Sequence, residues 1–335
     1  MNHFSSPEHA SPPSTATLSP ASSVQRELQA GLLAAKAHTS PKYFYDNVGS
    51  VLFEAICELP EYYPTRTEAD IFSRHLSEMA HVIGSGTTLI DMGAGNCAKA
   101  ARLFPQLHPQ QYVPIDISVD HLQESVKRLQ QRFPHIEMTA LGLDFSTPWA
   151  LPDEVRPDKR LFFYPGSSIG NFDQDQALAF LRQMHAACQV TDTAGNGSVV
   201  DGGILIGVDL IKNHKLLDAA YDDALGVTAA FNLNLLRHVN RVLASDFKVS
   251  DWQHVAFFNP DQARIEMYLE ARSEVTVRWP GAERHFAQGQ RIHTENSYKY
   301  SIPSFLHLLE QAGFGRARYW CDPAGWFAVF YAQAF

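Results

Sequence analysis

The sequence predicts an α/β fold: a doubly wound, mostly parallel sheet with a terminal antiparallel hairpin, joined to a second, smaller α+β lobe. Three observations predict it. Five β-type runs alternate with mostly helical ones up to Ile211, the alternation lapses until about residue 300, and the chain then closes on two β-type runs joined by "PAG". Strands separated by helices pair in parallel through crossovers, and their ligands sit at the carboxyl ends of the strands.

Residues 1–24 are rich in Ser, Pro, Thr and Ala, with hardly any large apolar side chain. They cannot offset the entropy of ordering and are expected to form a disordered tail. A helical stretch follows from Val24 to Ala35, then an aromatic connection, "PKYFYDNVGSVLFEAICELPEYYPTRTE". Thr65 to Glu68 reads as a capping box with Thr65 as N-cap, and Phe72, Leu76, Met79, Val82 and Ile83 continue at helical spacing. The alternation comes next: "TTLIDMG", a helix over Ala98–Leu107, "QYVPIDIS", a helix over Val119–Phe133, "IEMTALGLDF", "KRLFFYPGSS", a helix over Asp175–Gln189, and "GGILIGVDLI". A helical region, His214 to Leu243, leads into the alternating apolar runs "DWQHVAFFNP" and "ARIEMYLEARSEVTVRW". A helix over Pro303–Ala312 and the hairpin "RARYWCD"/"WFAVFYAQAF" close the chain. The expected division is residues 25–63 with 213–299 as a substrate lobe, and 64–212 with 300–335 as the nucleotide-binding domain.

Composition narrows the function. The chain has 335 residues, 45% of them hydrophobic, ample for a packed core, and a formal net charge of -9. That charge argues against a broad phosphate-binding face, so a small-molecule substrate is expected and no nucleic acid. Cys57, Cys97, Cys188 and Cys321 are scattered without a C-x-x-C pair, which reads as reduced thiols in a cytoplasmic enzyme. No run of about 18 apolar residues and no basic-then-apolar leader is present, so neither a membrane nor export is expected. A monomer is expected.

"LIDMGAGNC" places Asp91 two positions before Gly93-Ala94-Gly95 at the end of the first strand. Glycine is needed where a backbone turns sharply and approaches a ligand. Asp116 closes the next strand, at about the distance at which a carboxylate takes both hydroxyls of an adenosine ribose. Asp144-Phe145 closes the third, offering an acceptor for an adenine amino group beside an apolar ring. A lone G-x-G also fits an ordinary strand-to-helix turn. A dinucleotide fold prefers a third glycine, where this chain has Ala98, so the turn suits a cofactor without a pyrophosphate, such as S-adenosylmethionine (SAM).

A second motif competes. Gly166-Ser167-Ser168-Ile169-Gly170 satisfies G-x-S-x-G and proposes Ser168 as a hydrolase nucleophile, with Asp201 or Asp209 and His293 as partners. That reading leaves Asp91, Asp116 and Asp144 without a purpose. The alternative is a small-residue turn over a ligand that aims Asn171 into the crevice. None of the 15 histidines pairs at i, i+3 or i, i+4, and no H-E-x-x-H occurs, so no metal is expected.

With these pieces placed, the sequence resembles the SAM-dependent histidine Nα-methyltransferases of ergothioneine biosynthesis, which make hercynine. The likeness runs from about residue 41 to the C-terminus and rests on "PKYFYDNVGSVLFEAICELPEYYPTRTEADI", "IDMGAGN" with Lys99, "YVPIDIS", "LDF", "PGSSIGNF" and "HTENSYKY". The glycine turn departs from the usual serine- and glycine-rich form at Asn96 and Cys97.

The resemblance implies a class I methyltransferase fold and SAM bordered by Tyr45, Gly93, Gly95, Lys99, Asp116, Asp144 and Phe145. It also implies that Tyr62, Asn171 and Tyr221 hold the backbone end of L-histidine. Glu295 and Ser297 would read the imidazole, with Phe53 and Met267 as apolar walls and Tyr45 and Asn171 nearest the reacting atoms. For Phe53 and Met267 plain core packing is the competing reading, for Tyr221 a buried helix position, and for "TENS" a solvated strand.

The chemistry is consistent. A Tyr hydroxyl and an Asn amide donate to a carboxylate without bringing a second amine near a sulfonium. Pro60 and Pro64 would fix Tyr62 before substrate arrives. If residues 295–297 are extended, Glu295 and Ser297 share a face and meet the two nitrogens of one imidazole. Other readings are methylation of another aromatic amino acid or amine, a serine hydrolase, and a SAM-binding sensor.

Overall fold

The computed structural model describes residues 22–335 apart from 118, 146–147, 192–197 and 201. The expected tail therefore lies almost wholly outside the described residues, as does Asp201.

α1 (Ser23–Leu33) is entered through a capping box in which Ser22 and Gln25 bond reciprocally. A 3-10 turn at Pro41–Phe44 precedes α2 (Asn47–Cys57), where Asp46 accepts the Gly49 N–H. α3 (Tyr63–Ile83) corrects the expected start at Thr65: the N-cap is Tyr62, and Pro64 occupies the first turn, where its missing N–H costs nothing. Glu68 caps no helix. It is buried and bonded to other elements.

β1 (Thr88–Met92) is buried throughout. The expected Ala98–Leu107 helix is two turns, α4 (Ala98–Ala101) and α5 (Phe104–Leu107). Pro105 has no N–H for the Ala101 carbonyl four residues back, so the helix restarts there. β2 (Gln111–Asp116) and α6 (Val119–Arg132) follow. The single strand expected at "IEMTALGLDF" is two short pieces on β2, namely β3 (Glu137–Met138) and β4 (Leu141–Gly142). β5 (Arg160–Tyr164) leads through a 3-10 turn at Ser168–Asn171 to α7 (Gln174–Ala187). β6 (Gln189–Thr191) and β7 (Ser198–Val200) form a small ribbon before β8 (Gly202–Asp209).

The long helical region is α8 (His214–Tyr221) and α9 (Val227–Leu243), separated at Gly226, whose φ of 74° favours glycine. β9 (Trp252–Asn259), β10 (Arg264–Ala271), β11 (Val275–Trp279), β12 (Ala282–Phe286) and β13 (Arg291–Tyr298) come next. α10 (Ile302–Gln311) and the hairpin β14 (Phe314–Cys321) and β15 (Phe327–Ala334) close the chain.

The main sheet has the order β14-β15-β8-β5-β1-β2-β3, with β4 also on β2. β8, β5, β1 and β2 run parallel, and the last hairpin is antiparallel. The doubly wound sheet and its hairpin agree with the fold class read from the sequence. Strand order reverses between the parallel neighbours β1 and β5, so the Gly93–Cys97 loop and the Gly166–Asn171 turn open on the same crevice.

Two buried clusters cover the faces of this sheet. A third joins Leu28, Phe44, Tyr62 and Tyr63 to Phe231, Trp252, Met267 and Ile292, from α1, the first 3-10 turn, the start of α3, α9 and the antiparallel sheet β13-β10-β9. Single bridges, His38 to His293 and Leu210 to Tyr300, connect distant segments. Among the described residues no helix is long and apolar enough to cross a membrane.

Candidate active site

A cavity of about 530 Å³, counted to its open mouth, lies where the third cluster meets the carboxyl ends of β5 and β8. Its walls include Tyr45, Phe53, Tyr62, Asn171, Tyr221, Met267, Glu295 and Ser297, so every expected substrate-contacting residue meets in one place.

Local structure explains the convergence. In the strand β13, Glu295 and Ser297 project from one face. Antiparallel pairing sets Met267 directly opposite Glu295, and Ile265 opposite Ser297. A bulge follows Met267. Gly170 lets the 3-10 turn lie on β13, since a Cβ there would stand 2.7 Å from the Tyr298 carbonyl oxygen. Asn171 thereby reaches the cavity.

Aromatic rings form the apolar wall. Tyr45 meets Phe53 edge-on at 5.5 Å, Phe53 meets Tyr62 at 6.2 Å, and Tyr62 meets Tyr221 at 6.1 Å. Phe231 of α9 closes the box against Tyr45 and Phe53, at 5.8 and 6.0 Å. Phe231 escaped the sequence reading because a core phenylalanine on an amphipathic helix carries no signal distinguishing wall from core.

The polar groups divide into satisfied and unsatisfied. Tyr221 OH and Ser297 Oγ bond each other at 2.7 Å. The hydroxyls of Tyr45 and Tyr62, the Asn171 amide and the Glu295 carboxylate have no side-chain hydrogen bond among the described residues. Tyr62 and Glu295 are buried, Tyr45 and Asn171 half-buried, and all four line the cavity, where they are open to bond a ligand. Burial pushes the Glu295 carboxyl up to about 7, opposed by the charge of Lys299. Burial likewise holds the Tyr62 and Tyr45 phenols well above their ordinary range, so both are neutral donors.

A buried charge cluster supports this floor. Asp209 accepts from Tyr63 OH at 2.9 and 2.7 Å, from Lys299 Nζ at 2.8 Å, and from Lys212 Nζ. The two ammoniums hold its carboxyl below the usual range against the cost of burial. Lys299, fully enclosed, also donates to Tyr221 OH and Ser297 Oγ. A signal for Lys299 was present in the period-two spacing of residues 295, 297 and 299, which alternate onto one face.

Along the neighbouring strand ends, Gly93 and Gly95 have φ of 73° and 52°, and a Cβ on Gly93 would touch the Phe145 ring at 3.7 Å. Asp116 accepts the Gly95 N–H at 2.9 Å, and Asp144 takes Lys42 Nζ at 3.0 Å. Lys99 Nζ sits 2.7 Å from the buried Glu68 carboxylate, whose other oxygen accepts the Gly166 N–H at 2.7 Å. Asp91 points elsewhere. It is enclosed and bonded to Tyr112 OH at 2.7 Å, and burial lifts it to about 7, so it supports the turn from below.

The hydrolase reading is corrected by this geometry. Ser168 Oγ donates to the Pro165 carbonyl, and the strained residue of the turn is Ser167, at φ 59°. Asp209 is committed to two lysines, and His293 bonds Asn296 at 2.8 Å. Among the described residues no cluster of His, Cys, Asp and Glu could hold a metal ion.

The family model described as histidine-specific methyltransferase, SAM-dependent, matches residues 24–334. The histidine N-alpha-methyltransferase of Mycolicibacterium smegmatis is 37% identical, over 93% of this chain and 95% of that protein. Its namesake from Mycobacterium tuberculosis is 35% identical, over 91% and 93%. Ergothioneine biosynthesis protein 1 of Schizosaccharomyces pombe is 28% identical, over 81% of this chain and 35% of that protein.

Proposed function

This chain belongs to the SAM-dependent, histidine-specific methyltransferases, and from that membership we propose that it trimethylates the α-amine of L-histidine to hercynine, in ergothioneine biosynthesis. The observation that carries the substrate is Glu295: a buried carboxylate without a side-chain partner, beside a hydroxyl two residues on, in a cavity that the rings of Tyr45, Phe53, Tyr62, Tyr221 and Phe231 help to wall. Imidazole supplies a donor and an acceptor to match. A wrong side chain leaves those buried groups unpaired, which costs factors on the order of 10⁴.

The expected division of the chain is part of the proposal: residues 25–63 with 213–299 as the substrate lobe, and 64–212 with 300–335 as the SAM domain. The strand-end residues fit the cofactor. Gly93 and Gly95 leave backbone room, Asp116 faces a ribose, Asp144 and Phe145 an adenine, and Lys99 the methionine end. SAM supplies the methyl group as a sulfonium electrophile.

The chain's own residues do the positioning. Tyr62 and Asn171 donate to the substrate carboxylate, with the Tyr221 ring beside Tyr62 and its hydroxyl on Ser297 Oγ, while Glu295 and Ser297 fix the imidazole. The neutral amine lone pair would form the N–C bond as the methyl group's bond to sulfur breaks and leaves a neutral thioether, and the resulting ammonium would shed a proton to water before the next transfer. Good geometry contributes roughly 7 to 11 kcal/mol toward such a step. The rings of Tyr45, Phe53 and Phe231 accommodate the growing cation, typically for about 0.5–2 kcal/mol.

The test is the mass of L-histidine after incubation with protein and SAM, with gain of three methyl groups expected. Binding of both ligands without methylated product would establish a sensor instead. Methylation of phenylalanine or tryptophan in preference to histidine would move the substrate to another aromatic amino acid.

A further inference from the structure

Lys299 has three ammonium hydrogens and three acceptors: Asp209 Oδ2 at 2.8 Å, Ser297 Oγ at 2.8 Å and Tyr221 OH at 3.0 Å. It is donor-only and fully enclosed, and against the cost of burial the Asp209 carboxylate holds the lysine's pKa above its usual range and keeps it charged. The two hydroxyls it touches also bond each other. Tyr221 and Ser297 carry two hydroxyl hydrogens, and one of them bridges the pair. That leaves the pair a single O–H to direct into the cavity, and Lys299, by filling an acceptor position on both oxygens, keeps the pair from facing the ligand as an acceptor instead. When Tyr221 donates to Ser297, both Ser297 lone pairs are filled and the serine faces the ligand as a donor alone.

We propose that Lys299 is a positioning and specificity-determining residue, which makes the Tyr221–Ser297 pair present one O–H donor beside the Glu295 acceptor, the complement of a neutral imidazole. This rests on the histidine reading above. The charge of Lys299 acts in the same sense. The groups facing Glu295 are Tyr45 from the first 3-10 turn, Tyr62 before α3, Tyr221 at the end of α8 and Lys299 after β13. The three phenols are neutral at pH 7, so Lys299 is the cation among them that favours the ionised carboxylate. A buried ammonium also disfavours an imidazolium, selecting the neutral ring.

The test compares wild type with Lys299→Met, in which Asp209 keeps Lys212 and Tyr63 as partners. The kcat/KM ratio of L-histidine to L-phenylalanine is expected to fall at least tenfold at pH 7.5, and the acid limb of the histidine profile to move up by about one unit. A second readout needs no substrate. An infrared titration of the Glu295 carboxyl band, assigned with Glu295→Gln, should show the same upward shift. If wild type methylates no histidine, the reading above fails, while the infrared titration still decides the Lys299 claim. Should Lys299→Met not fold, as judged by SAM binding, the double variant Asp209→Asn/Lys299→Met removes the ion pair together and is read the same way. An unchanged ratio with an unmoved carboxyl band overturns the proposal.

Discussion

The Glu68 carboxylate joins Lys99 Nζ and the Gly166 N–H, each at 2.7 Å, and so ties the loop after β1 to the turn after β5. Its side chain is enclosed, while that of Lys99, proposed to border SAM, is 43% exposed. Replacement Glu68→Gln keeps an acceptor for Gly166 and removes the charge that aims Lys99. A charge-assisted bond of this kind is worth about 1.5–3 kcal/mol. SAM affinity by calorimetry should weaken about tenfold or more, with histidine affinity measured in saturating SAM little changed. Equal SAM affinity in the two proteins would show that Lys99 needs no such anchor.

Asp116 both accepts the Gly95 N–H and closes β2 where a ribose is proposed to sit. Asp116→Ala should lower SAM affinity about 100-fold, since loop order and the ribose contact go together, each worth roughly 1–3 kcal/mol. Thermal unfolding of the ligand-free variant should stay close to wild type. A change in affinity below threefold would place the ribose elsewhere.

Glu295 gives a stability signature with a definite sign. Its folded-state pKa of about 7 lies above the ordinary 4.5, so between those values the native state binds more protons than the unfolded state. Its contribution is therefore present below pH 4.5 and is lost as pH rises through 7, by roughly 3 kcal/mol in total. Glu295→Gln does not titrate. The variant should gain stability relative to wild type between pH 5 and pH 7.5 in urea unfolding, and Asp91, present in both proteins, cancels. Parallel stabilities across that range contradict the raised value.

Asp209→Asn leaves two enclosed ammoniums, Lys212 and Lys299, without their carboxylate. Removing one partner of a buried ion pair costs about 3–5 kcal/mol. Denaturant unfolding should show a loss of that size, whereas Asp70→Asn, which breaks the exposed pair with Arg74, should change stability by less than about 1 kcal/mol.

The ring box makes a prediction about product distribution. Tyr45→Leu retains apolar bulk and removes one aromatic face from the wall shared with Phe53 and Phe231. Cation–π contact of about 0.5–2 kcal/mol favours the later, more alkylated cations. Time-resolved mass analysis should show mono- and dimethylated histidine accumulating in the variant. A product series identical to wild type would remove Tyr45 from that role.

Period-two alternation put Glu295 and Ser297 on one face, and the same rule applied one step further reaches Lys299. The parallel sheet was legible because each of its strands is a short apolar run ended by Gly, Pro or Asp. The start of α3 was misread at Thr65, since capping chemistry is local and the sequence gives no sign that Glu68 is drawn instead to Lys99 and Gly166 across the fold. The helix expected over Ala98–Leu107 broke at Pro105, a signal that was present and outweighed by its apolar spacing.

By itself the sequence determined the order of elements, the glycine turn with its three strand-end carboxylates, and the residues from which a site could be assembled. Only the tertiary structure decided that Tyr62, Asn171, Tyr221, Met267 and Glu295 share one cavity, that Asp91 faces inward, and that Asp209 serves two lysines rather than a histidine. The physical reason is range. Helix and strand periodicities act over a few residues, whereas the pairing of buried charges is settled by which groups, far apart in the chain, are removed from water together.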